Sequence, residues 1–245
     1  MPWRLEPLDA GLPNGALGRF TTRYGGVSAA PYDELNLAAH VGDDPAAIAA
    51  NRARLSDYLG NVPLVVAEQV HGSAVAVVDQ PAGPVPPRAD ALVTSRPGVA
   101  LVVLVADCLP VLLADPDHGV VAVAHAGRAG LAAGVLEKAV GAMQDAGAVR
   151  AATVAVIGPA VCGSCYEVPA AMRDEVATAV PGSAAVTRTG TPSLDLARGA
   201  EQLLAELGVG SVRRVSACTV EDERFFSYRR DGTTGRFAGV AMLSR

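Results

Sequence analysis

Three residues in this chain have the chemistry of a metal centre: His71, Cys108 and His125. Each follows a short apolar run of the kind that forms a buried strand. Gln69-Val70-His71-Gly72 follows residues 62–67, Ala106-Asp107-Cys108 follows residues 101–105, and His125-Ala126-Gly127 follows residues 120–124. Polar groups that interrupt apolar runs cost free energy unless they are paired. Two imidazoles and one thiolate suit zinc and leave a fourth position open for water or substrate. The gaps between the three match no compact zinc-finger spacing, so convergence must come from the fold. Asp107 adjoins the cysteine and is read as the hydrogen-bond partner of a ligating histidine, ahead of a proton carrier. Two rival chemistries use the same residues. A cysteine beside a histidine at a helix N-terminus suits a thiolate nucleophile, as in a metal-free amidase or esterase. Two histidines and one cysteine could also hold a single copper, whereas a multicopper oxidase needs many more than the four histidines present.

The elements that must position these residues can be read from pattern. Asp44 is a good N-cap and Pro45 suits a first helical turn, so a helix is expected over 46–59 and should stop at Gly60. It places Ile48, Arg52, Leu55 and Leu59 at helical spacing. Further helices are expected over 131–146, 169–180 and 194–207, and strands over 88–94, 151–157, 212–218 and 239–243, with an N-terminal strand region in 1–20. Residues 81–87 read as a Pro/Gly loop. His125 would lie at a strand-to-helix turn, where free N–H groups favour an anion.

Other segments carry weaker signals. Arg23 sits in Thr21-Thr22-Arg23-Tyr24-Gly25-Gly26, a turn whose glycines allow close backbone approach and whose guanidinium can grip a phosphate with two prongs. Asn36 and His40 fall in a stretch too polar for core and too apolar for linker. Cys162 and Cys165 form a C-x-x-C without a second such pair and with Cys218 the one cysteine to spare. They are read as structural thiols, ahead of a second metal site or an exchange motif. Phe225-Phe226-Ser227-Tyr228-Arg229-Arg230 is the most aromatic stretch. A core pair beside a turn is expected for the two phenylalanines, with stacking on a planar ligand as the second reading.

Composition sets the outer bounds. The chain has 245 residues, half of them hydrophobic, enough for a large core. Net charge is −5 without a basic stripe, which argues against nucleic acid as partner. No apolar run approaches the length of a membrane span. An N-terminus without a signal-peptide core, together with four cysteines, points to a reducing cytoplasm. Oligomeric state is left open.

Several segments together resemble the laccase-domain, YfiH-like family, once called polyphenol or multicopper oxidases and regarded as zinc-dependent purine nucleoside phosphorylases. They are TTRYGGVS, LNLAAHVGDDP, NRARL, EQVHG, ADALVT, ADCLPVLLAD, AHAGRAGLAAGV, IGPAVCGSCYEV and FFSYRRDGTTGRFAGVAML, spanning nearly the whole chain in order. The resemblance implies one α+β domain over 1–245, a layered αββα arrangement of two mixed sheets with flanking helices. It implies metal ligation by His71, Cys108 and His125. The implied reaction is cleavage of a purine nucleoside by phosphate, with adenosine deamination and methylthioadenosine cleavage as side activities. Arg23, Arg52 and Arg229 are then the leading phosphate cations, and Asn36 joins them on the substrate side. The same family implies two alternatives: an amidase that edits peptidoglycan precursors, and a copper-dependent polyphenol oxidase. One departure stands out. The family usually has Trp-Arg after His-Ala-Gly, whereas this chain has Arg128-Ala129, and a one-residue shift turns a side chain by roughly 100° at a helix start.

Overall fold

Alternation within the apolar strands builds the molecule in layers. The computed structural model describes residues 5–80 and 85–244. The start of the N-terminal strand region and residues 81–84 of the Pro/Gly loop lie outside them. A five-stranded mixed sheet has the order Leu8–Asp9, Ala16–Phe20, Phe237–Leu243, Ala100–Val105, Leu64–Val66. A six-stranded mixed sheet has the order Ser211–Arg214, Val154–Ile157, Leu109–Asp115, Val120–Ala126, Ala91–Thr94, Val75–Val77. Most neighbours are antiparallel, with a parallel pair at one edge of the first sheet and at both edges of the second.

The central strands are buried on both faces, which explains their nearly unbroken Val/Leu/Ala sequences. Leu101 and Val103 point inward and meet Leu112, Ala114, Val121 and Val123 of the facing sheet. The intervening Val102 and Leu104 point outward against Leu55 and Leu59 at the end of helix Pro45–Tyr58. On the opposite side Val111, Leu113, Ala122 and Ala124 meet Leu136, Val140, Met143, Ala200 and Leu204 of helices Val135–Asp145 and Leu196–Glu206. The result is the expected αββα arrangement. Among the described residues no helix is long and apolar enough to cross a membrane.

Local signals explain most boundaries. Asp44 caps the first helix through the amide of Ala46, and Gly60, with φ of +88°, follows its end. The helix expected over 131–146 is broken in two. Arg128–Ala132 ends before Gly134, whose left-handed φ of +82° redirects the chain into Val135–Asp145. The strand expected to stop at residue 124 continues to Ala126, so His125 is itself part of the sheet, opposite Pro110. Phe225 and Phe226 are fully buried core residues, as expected of that pair.

Candidate metal centre

The chain passes from one sheet to the other between Val105 and Leu109, and Cys108 lies in that crossing. Asp107, just before it, has φ of +89°, a left-handed turn that an aspartate tolerates better than most residues. His125 reaches the same point from the end of its strand. His71 comes from the loop after Leu64–Val66, also with left-handed backbone, φ +58°. That conformation costs a side chain about 1–2 kcal/mol, and the loop is held in it by Asp90.

Asp90 is fully buried at the head of the strand Ala91–Thr94. Its Oδ1 accepts the His71 amide at 2.9 Å and meets His125 Nδ1 at 2.8 Å. Its Oδ2 accepts the amides of Gly72 at 2.7 Å and Val70 at 3.3 Å. The Asp90 carbonyl takes the His125 amide at 2.7 Å. Burial opposes the carboxylate charge, but the bond to His125 and these amides outweigh it and lower its pKa. With Nδ1 so engaged, His125 keeps Nε2 for the centre.

The donor atoms of His71, Cys108 and His125 all lie within 4.8 Å of one another. The two imidazole rings meet edge to face at 4.7 Å between centroids. Gly127 closes the pocket: a Cβ there would stand 3.1 Å from Cys108 Sγ, 3.4 Å from His71 Cδ2 and 3.5 Å from His125 Nε2. Two imidazoles and one sulfur in a space that a methyl group would fill fit a zinc-sized cation with one position open. Electrostatics agree. Burial pushes the Cys108 thiol up, but bonds to His125 and His71 more than reverse this and hold it at about 6. Burial disfavours charge on His125, yet its bonds to Asp90 and Cys108 raise it to about 9. A thiolate is thus available near neutrality.

The three donors open into a cavity of about 350 Å³, within the range of small-molecule sites. Arg128, Arg229 and Arg236 line it, with His40, Tyr166 and Tyr228. Among the described residues none of these three guanidiniums has a carboxylate partner. Arg229 stacks over Tyr166 at 5.3 Å, Arg128 lies close enough to Tyr166 to favour its charged form, and Arg236 Nη1 spends itself on the carbonyls of Thr234 and Gly235. Burial and the nearby Arg236, His71 and Arg52 lower the pKa of His40, keeping it neutral at neutral pH.

Asp107 and Arg229, both expected here from sequence, do line the cavity, but Asp107 is not the partner of a ligating histidine; Asp90 is. Asp107 Oδ1 accepts Thr219 Oγ1 at 2.6 Å and Ser227 Oγ at 2.7 Å, and Oδ2 accepts the Arg229 amide at 2.7 Å. It fastens the start of the short helix Tyr228–Asp231, which carries Arg229. The structure does not bring three other expected residues to the cavity. Arg23 Nε donates to the Asp33 carbonyl at 2.8 Å, its Nη2 pairs with the Asp33 carboxylate at 3.0 Å, and its guanidinium lies over Phe226. Arg52 gives both Nε and Nη2 to the Leu37 carbonyl. Asn36, fully buried, bonds to Ala38, Asp43 and the Arg236 amide. None of the three lines the cavity. Arg128, in contrast, faces inward despite its shifted position, because the helix begins at Arg128 itself with Gly127 as cap. Sequence reasoning missed Asp90, Arg236 and Tyr166. Only Asp90 carried a signal, a carboxylate opening an apolar strand.

Fold and site together define a two-sheet αββα protein with a three-donor centre where the chain changes sheets. The family described as multi-copper polyphenol oxidoreductase laccase matches residues 18–244. A purine nucleoside phosphorylase of Streptomyces coelicolor is 56% identical over 233 residues, 94% of this chain and 96% of its own. One from Corynebacterium glutamicum is 49% identical over 230 residues, 92% of this chain and 94% of its own. The crystal structure of YlmD from Geobacillus stearothermophilus superposes with a TM-score of 0.91 at 32% identity, covering 100% of this chain and 99% of that one. The chain belongs to the laccase-domain, YfiH-like family.

Proposed function

We propose that this protein is a zinc-dependent purine nucleoside phosphorylase, converting a nucleoside such as inosine and inorganic phosphate into free base and ribose 1-phosphate. The observation that carries the reading is the set of three arginines, Arg128, Arg229 and Arg236, with no carboxylate partner among the described residues, facing the His71–Cys108–His125 centre across one cavity. In a chain of net charge −5 the overall field repels a phosphate dianion, so local cations must bind it. Arginine forks match phosphate oxygens in pairs. Asp107 positions Arg229 by holding its backbone amide, and neutral His40 can exchange a hydrogen bond with either ligand. Tyr166 and Tyr228 give the base flat apolar faces. Bound at the three donors, zinc would supply a Lewis-acid position for a substrate oxygen. Names of relatives at 56% and 49% identity support the same reading. Deamination of adenosine and phosphorolysis of methylthioadenosine are proposed as further reactions of this cavity.

The test is product chromatography after incubating the zinc-loaded protein with inosine, with and without phosphate. Hypoxanthine with ribose 1-phosphate, formed only with phosphate, supports the proposal; equal cleavage without phosphate overturns it. One observation favours a second reading. Cys108, His125 and Asp90 form a sulfur–imidazole–carboxylate chain like that of a thiolate hydrolase. Removal of zinc by a chelator separates the two, because a thiolate hydrolase stays active without metal. Copper is the weaker metal assignment, and metal analysis of the purified protein decides it.

A further inference from the structure

The C-x-x-C acquires partners that sequence spacing does not reveal. Cys162 and Cys165 lie in the turn after strand Val154–Ile157, where the amides of Cys165 and Tyr166 both donate to the Cys162 carbonyl at 3.0 Å. The segment after Ser211–Arg214 runs alongside, joined by a parallel bridge between Ala160 and Cys218, with the Thr219 amide donating to the Ala160 carbonyl at 3.1 Å. This brings Cys218 to the two turn cysteines. Glu221 follows one turn later, its amide bonded to the Cys218 carbonyl at 3.1 Å. The three sulfurs and a Glu221 oxygen all lie within 4.8 Å of one another.

We propose that Cys162, Cys165, Cys218 and Glu221 form a second, structural zinc site, separate from the His71–Cys108–His125 centre. A tetrahedral zinc with bonds near 2.3 Å to sulfur sets its ligand atoms about 3.7 Å apart. All four atoms lie within 4.8 Å of one another, and Cys165 Sγ stands 3.6 Å from Glu221 Oε1. Cys218 Sγ accepts the Cys162 amide at 3.5 Å, which ties the two segments at the sulfurs. Arg188 pairs with the Glu221 carboxylate and offsets part of the negative charge that three thiolates and a carboxylate leave around a divalent ion. Binding releases three thiol protons and changes no oxidation state.

The site would clamp two loops that both serve the cavity. Tyr166 and Val161 belong to the first, and Thr219, which bonds to Asp107, belongs to the second. A closed four-ligand site on such a junction is structural in character.

Metal analysis of protein purified under reducing conditions tests this. Wild type should hold two zinc ions per chain, Cys162→Ser/Cys165→Ser one, and His71→Ala one. One zinc in wild type with none in His71→Ala overturns the proposal, as do two zinc ions in the double serine variant. A readout on unaltered protein covers serine variants that fail to fold. Cobalt(II) in the metal-depleted wild type should give sulfur-to-cobalt charge transfer with the intensity of four thiolates, three here and one from Cys108. The intensity of one thiolate overturns it. A thiol titration of the denatured protein without reductant should find all four cysteines reactive, whereas two missing thiols mark a disulfide and overturn it.

Discussion

His71 and His125 are hung on the same oxygen: Asp90 Oδ1 takes the backbone amide of one at 2.9 Å and the ring of the other at 2.8 Å. A single buried carboxylate therefore aims an imidazole in the six-stranded sheet and shapes the loop that delivers the second. Asp90→Asn keeps the volume but loses the charge that four donors share. Zinc affinity at this centre should fall about 10–100-fold, read by competition with a chromophoric chelator. Unchanged affinity would mean that packing alone aims the two histidines.

Protons should compete with the metal in a defined window. With His125 raised to about 9 and Cys108 lowered to about 6, the metal-free centre between those values holds imidazolium beside thiolate. A cation needs the imidazole neutral, so binding near neutral pH should release about one proton, from His125. Affinity should rise about tenfold per pH unit from about 6 to 9 and level off above, since the proton it displaces is then gone. Below about 6 the thiol also protonates and the slope should steepen. Calorimetry in buffers of different ionisation enthalpy counts the protons.

A side chain at Gly127 would crowd the donors and push them apart by a few tenths of an ångström. Gly127→Ala sets a methyl 3.1 Å from Cys108 Sγ and should empty this centre of metal, with a melting temperature close to that of wild type depleted of metal at the same centre. Metal content at the centre equal to wild type would show that the donors part easily.

The proposed phosphate cations are the arginines that line the cavity, and kinetics can check that assignment. Arg229→Ala and Arg128→Ala should each raise the phosphate KM about ten- to a hundredfold, the worth of a charged hydrogen-bond pair. Arg23→Lys should leave that constant alone and instead cost about 1–2 kcal/mol of stability, because it breaks contacts to Asp33 and Phe226. A phosphate effect confined to Arg23→Lys would return the anion site to the Gly-Gly turn.

The parts of this site that the sequence announces are those where a polar residue breaks an apolar strand. His71, Cys108 and His125 stand out for that reason, whereas the αββα layering is implied by the family resemblance and not by any pattern within the strands. Arginines gave no such contrast. Arg23 and Arg229 are equally polar neighbours of turns, and only the position of Asp33 shows that one is spent in the scaffold. Cys218 was unreadable as a partner of Cys162 because a parallel bridge between distant segments, with no local pattern of its own, joins them. Gly134 left a trace in the sequence, but a glycine inside a helical pattern is more often tolerated than a break.

The crossing at 106–108 makes the centre a gauge of how the two sheets are seated on each other. Cys108 rides on the link between them, while His125 is fixed in one sheet alone. A slide of one layer by a fraction of an ångström would change the sulfur–imidazole separation directly. Leu101 and Val103 on one sheet and Leu112 and Val123 on the other set that seating. Trimming one of these side chains, far from any donor, should therefore detune the centre's grip on its metal, and in this fold the interlayer core serves as the calibration of the site.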